Sequence, residues 1–145
     1  KATQTVKKNK TIHRILFFVI GPIINLIIGF LCSRLMKNSE FKDIIVQTNY
    51  AIGIFNLIPI LPLDGGKILK EILRLCVGVD KSNVLVMIIS KTVLVIFTLI
   101  YSVLILKVKS IMILFLLMYL WYLYIIEEKK FYLYEKTRRA IKNII

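Results

Sequence analysis

The sequence predicts an all-α fold, a polytopic membrane helix bundle of about four transmembrane helices with a Pro/Gly-broken second span. Three observations carry that expectation. The 145 residues are 58% hydrophobic, well above the half or so usual for a soluble domain, and the mean hydropathy is +0.78. The apolar residues gather into long uncharged runs rather than alternating with polar ones. The charge is strongly basic, 21 Lys and Arg against 8 Asp and Glu, and the bases flank the apolar runs. A nucleic-acid-binding protein would instead carry its bases among polar surface residues, so no nucleic-acid partner is expected, and the lipid bilayer is.

A hydrocarbon core about 30 Å thick needs about 20 helical residues at 1.5 Å each. Four stretches approach that length. The first, 15–36, carries only Arg34 near its end, and the second, 44–63, carries no charge. The third, 87–106, has Lys91 near one end, where a long stem lets the ammonium reach the interface. The fourth, 110–126, is short but ends in the aromatic run YLWYLY, typical of a membrane–water boundary. These spans make residues 1–126 one membrane domain, and 127–145 a basic amphipathic cytoplasmic tail, expected to lie as a helix on the membrane surface. No cleavable signal peptide is evident. The chain opens on Lys1 rather than Met, so a piece of something larger is expected.

Loop charges set an orientation. Fifteen of the 21 bases fall before the first span, between the second and third, and after the fourth; five fall in the alternate loops. The positive-inside bias places both termini and the Asp64 end of the second span in the cytoplasm. Two cysteines, Cys32 and Cys76, are too few for a disulfide framework and read as ordinary thiols in apolar surroundings.

The second span is unusual inside. Asn49, Gly53 and Asn56 fall at i, i+4 and i+7, which puts two amides and a gap on one helical face. Polar groups in a bilayer are costly unless paired, so this face turns toward another helix or a wet cavity; asparagines that simply join helices would show the same spacing. Pro59 and Pro62 then remove two backbone donors within a turn, which regular helix cannot survive, and irregular backbone at this depth normally lines a cavity. Asp64 follows, with Gly65 and Gly66 permitting a sharp turn. On the residues alone, an N-cap for a helix from Gly65 to about Val77 explains Asp64 as well as any functional role does.

The stretch FNLIPILPLDGGKIL, Phe55 to Leu69, resembles the second signature of the site-2 protease family of intramembrane zinc metalloproteases, especially the branch typified by stage IV sporulation protein FB. GPIIN, Gly21 to Asn25, resembles that family's Gly-Pro element in the preceding span, and IIEEKKFYLYEK is also similar to the branch. The resemblance implies a zinc site built from a His-Glu-x-x-His pair on one span and an aspartate on another. Such a site leaves a fourth position for water that becomes hydroxide near neutral pH, with the glutamate as general base. It further implies that Asp64 is the third zinc ligand and that Asn56 faces the active site to position substrate or its developing oxyanion. Pro59 and Pro62 would shape the break that turns Asp64 toward the metal, and Gly65 and Gly66 would let the backbone bend away afterwards.

The chain departs from the family in its histidines. His13 is its one histidine, followed by Arg14 rather than Glu, and reads as an interfacial side chain. The remaining zinc ligands are expected upstream, and this chain alone is expected to be inactive. Two functions follow: part of a metalloendopeptidase that cleaves a membrane-tethered protein substrate, in a signalling or sporulation pathway, or a non-catalytic membrane scaffold that keeps the fold. An ion path through Asn49, Asn56 and Asp64 is weaker, because one carboxylate without partners in other spans makes a poor relay.

Overall fold

The computed structural model describes residues 2–108 and 111–144, with side chains described for 9–103 and 111–141. The expected starts at residues 1 and 110 lie outside those bounds. Five helices follow in order: α1 (Ala2–Leu35), α2 (Glu40–Asn56), α3 (Asp64–Val77), α4 (Val79–Val108) and α5 (Ile111–Ile144). Among the described residues no strand forms.

Three helices are long and apolar enough to cross a membrane, over Asn9–Leu35, Val79–Val103 and Ile111–Ile141. Their apolar side chains are largely uncovered, Phe17 at 73%, Val103 at 76% and Met112 at 84% exposure, as lipid-facing residues must be. The chain is a multi-pass membrane protein.

The second expected span differs. Helix α2 stops at Asn56, seven residues short of Leu63, and its 17 residues reach about 26 Å. Pro59 accounts for the stop, because its ring would meet the carbonyl of a helical residue four back and disfavours helix in the residue before it. The other end of α2 is capped: Ser39 is extended and its hydroxyl accepts from the Lys42 N–H at 3.2 Å, with Glu40 and Asp43 in the positive first turn.

The tail differs too. Helix α5 continues unbroken through residue 126 to Ile144, so the tail extends the last span along its own axis, and no change of direction separates the two. Between α3 and α4 the chain turns at Gly78, whose φ of +85° with ψ of 173° lies in a region open essentially to glycine.

The core gathers around the broken segment. Ile60 and Leu61 pack with Val86, Met87 and Leu94 of α4 and with Leu120 and Tyr124 of α5. The break is therefore buried in protein. Its backbone is satisfied locally by Ile60 N–H to the Ile58 carbonyl and Leu63 N–H to the Ile60 carbonyl, both 2.8 Å. The Leu61 N–H donates to the fully buried hydroxyl of Ser90 on α4, at 3.0 Å. Trp121 of α5 donates to Thr98 of α4 at 3.0 Å, fastening the last two helices.

Candidate functional site

The two elements singled out in the sequence meet. Helices α1 and α2 approach through glycines on both sides: Gly29 lies under the Tyr50 ring, and Gly53 faces Leu26 and the Pro22 carbonyl. A methyl group at Gly53 would stand 3.0 Å from Leu26 and 3.1 Å from the Pro22 oxygen. Small residues at such crossings let backbones come close where no hydrophobic force drives helices together. Asn56 lies one turn beyond Gly53, at the last position of α2, and forms no side-chain hydrogen bond among the described residues. Asn49 behaves differently from an inter-helix joint, since its amide donates back to the Ile45 carbonyl of its own helix at 2.9 Å.

Asp64 begins α3. It is not the cap: the N-cap position is Leu63, and no side chain caps this end. The carboxylate instead turns sideways toward α1. Its Oδ2 faces Gly21, where an added Cβ would be 3.5 Å away, and its Oδ1 accepts from Lys67 Nζ at 3.0 Å. The Lys67 ammonium stands 5.3 Å from the centre of the Phe18 ring, one turn before Gly21, a cation–π contact. With Lys67 38% exposed and Asp64 26%, the ion pair contributes only about 0.5 kcal/mol, so the fold does not depend on it.

Gly65 and Gly66 act by a route other than the expected one. Both sit in the first turn of α3 with ordinary helical backbone and are buried. A Cβ on Gly65 would fall 2.2 Å from the Leu57 oxygen, and one on Gly66 2.5 Å from the Ile60 carbonyl carbon. They are required because the 57–61 turn lies directly on the start of α3, a close approach of backbones rather than a bend. Pro62, in cis linkage to Leu61, and Pro59 shape that turn and so aim Asp64 at α1.

Sequence reasoning missed three participants. Lys67 is legible as the i+3 neighbour of Asp64 on one helix face, and Glu71 with Arg74 repeats the spacing. Glu71 is buried, with its carboxylate 2.7 Å from Arg74 and 3.6 Å from Arg14, so it ties α3 to the entry of α1. Ser90, 29 residues from its partner Leu61, gives no sequence signal. His13 lies exposed on α1.

Among the described residues no three His, Cys, Asp or Glu come together in a way that would hold a metal ion. Zinc needs three protein ligands in an open tetrahedral site, and Asp64 is one, with an ammonium on its other oxygen. These residues by themselves do not fit zinc.

Comparison with known proteins places the motifs. Residues 33–100 match peptidase family M50. A zinc metalloprotease of Methanocaldococcus jannaschii is 37% identical over 75 residues, covering 45% of this chain. The chain spans about a fifth of that relative's length, 21%. No solved structure matches significantly. Through residues 33–100, which hold the α2 face, the Pro-broken turn and Asp64, the chain belongs to peptidase family M50, the site-2 proteases.

Proposed function

We propose that this chain supplies the third ligand, Asp64, of an intramembrane zinc metalloprotease that cleaves a membrane-tethered protein substrate. The observation that carries the reading is the encounter of the two motifs: a carboxylate free of any capping duty, aimed by a buried turn at the side-chain gap of Gly21. A structural aspartate at a helix start would cap it. The histidine pair and its glutamate are supplied by sequence preceding this segment in the full-length protein. Asn56, at the end of the α2 face, is then placed to hold the substrate peptide or its oxyanion. The branch typified by stage IV sporulation protein FB, and a substrate in a sporulation or signalling pathway, belong to the same proposal and rest on the wording of residues 55–69.

A second reading has its own observation. Lys67 already neutralises Asp64, which suits a non-catalytic scaffold that needs no metal. Cleavage separates the two. A tethered reporter substrate co-expressed with the full-length protein is expected to be cut, with cutting stopped by a zinc chelator and restored by zinc. A full-length sequence without His-Glu-x-x-His, or cutting indifferent to chelation, contradicts the protease reading.

The proposed orientation puts both termini and the α3 side in the cytoplasm, following the base count. Reporter fusions after Lys81 are expected to read cytoplasmic and fusions near Lys42 external; the reverse pattern contradicts it.

A further inference from the structure

A second cavity, away from Asp64, has no assigned role. It lies between α3, the first turns of α4 and the 127–134 stretch of α5, encloses about 250 Å³, and is lined by Lys70, Arg74, Asn83, Glu127, Lys130 and Phe131 among others. It sits just beyond the aromatic run of α5, at the level where apolar span gives way to charge. Its polar groups are unevenly satisfied. Lys130 pairs with Glu127 at 2.8 Å, which accounts for the acid. Arg74 gives one Nη to Glu71, but its Nε is buried without a partner. Asn83 is 6% exposed, and its buried Oδ1 also lacks one. Lys70 makes no hydrogen bond or ion pair among the described residues. Burial, and then the neighbouring Arg74 charge, push the Lys70 ammonium below the ordinary lysine value, as happens where cations crowd without an anion between them.

We propose that this cavity binds a phosphate ester bearing a hydroxyl group, the chemistry of a glycerol-phosphate headgroup. The phosphate oxygens accept from Lys70 and from the Arg74 Nε, and the hydroxyl donates to Asn83 Oδ1. A buried donor and a buried acceptor left open in one cavity call for a ligand with both kinds of group; a bare cation or a purely apolar molecule would leave one or the other unpaired. The apolar wall at Phe131 and the position between helices at the membrane boundary fit the headgroup of an anionic phospholipid, and basic pockets there commonly take one. A soluble glycerol phosphate offers the same groups.

The test uses the full-length protein in nanodiscs of phosphatidylcholine with and without phosphatidylglycerol, with native mass spectrometry counting retained lipid. Preferential retention of phosphatidylglycerol is expected. Lys70→Gln is expected to weaken it about tenfold, as for loss of a charge-assisted hydrogen bond. Asn83→Leu is expected to weaken it about fivefold without lowering the melting temperature, because the substitution removes an unpaired buried acceptor. Lys129→Gln, an exposed charge at the same level outside the cavity, leaves retention unchanged. Glycerol 3-phosphate that binds the lipid-free protein and depends on the same two residues identifies the soluble source instead. Equal retention by parent, Lys70→Gln and Asn83→Leu, equal loss with Lys129→Gln, or no binding of any probe overturns the proposal. None of these outcomes depends on zinc or cleavage.

Discussion

The α1–α3 half and the α4–α5 half of this molecule are both helical and both apolar, yet they are joined by different means. In the first, backbone meets backbone: Gly53 faces the Pro22 carbonyl, and Gly65 and Gly66 lie against the 57–61 turn. In the second, side chains do the joining, through Trp121 to Thr98 and the Leu94, Leu120 and Tyr124 packing around Ile60. Side-chain contacts can relax around a substitution, whereas backbone contacts at van der Waals distance cannot. The half that must hold one carboxylate in a fixed direction is the half built without slack.

Substitutions can break that comparison in order of size. The largest effect is expected from Gly65→Ala or Gly66→Ala, because the new methyl meets main-chain atoms at 2.2 to 2.6 Å and the turn must move. A loss of about 3 kcal/mol is expected, read as a lowered unfolding midpoint in detergent. Gly21→Ala, whose methyl would meet only the Asp64 carboxylate at an ordinary 3.5 Å, is expected to leave the midpoint nearly unchanged. A tolerated Gly65→Ala would show that the turn is not clamped.

Glu71→Ala comes next. The buried carboxylate is the ionic tie from α3 to α1, and removing it leaves Arg74 without its counter-ion. A cost of about 2 kcal/mol is expected, at the lower end for a buried pair because Arg14 and part of Arg74 remain hydrated. Glu71→Gln, which keeps a hydrogen-bonding oxygen, is expected to recover part of it. The smallest effect is expected in the other half. Trp121→Phe removes one hydrogen bond to Thr98 and keeps most of the packing, so about 1 kcal/mol is lost. A Trp121→Phe defect as large as that of Gly65→Ala would erase the distinction between the halves.

The same contrast explains what could be read from the chain beforehand. Long apolar runs and flanking bases are local properties, so the helical bundle and the membrane were legible from composition and spacing. The importance of the 55–69 stretch was legible because prolines, glycines and a carboxylate rarely share an apolar run. What the glycines do was not: Gly65 and Gly66 read as a bend, and only the placement of Leu57 and Ile60 over α3 shows that they make room. The end of α2 at Asn56 is a further case, since a run of apolar letters continues to Leu63 while the helix does not. Helix α5 is the converse, an apolar pattern that ends near residue 126 on a helix that goes on. The Leu61–Ser90 bond joins residues too far apart in sequence for any spacing rule.

Whether Asp64 is a ligand or merely one half of the ion pair with Lys67 is decided by comparing two variants of the full-length protein for bound zinc per molecule. A ligand role predicts that Asp64→Asn loses the metal and all cleavage, because a neutral amide is a poor partner for zinc, and that Asp64→Glu is severely impaired by its extra methylene. It also predicts that Lys67→Met keeps both metal and cleavage, since only the ion pair is lost. All these proteins should insert and fold alike, because that pair contributes so little. An Asp64→Asn protein with parental zinc and activity, or one whose defect Lys67→Met reproduces in full, would contradict the account.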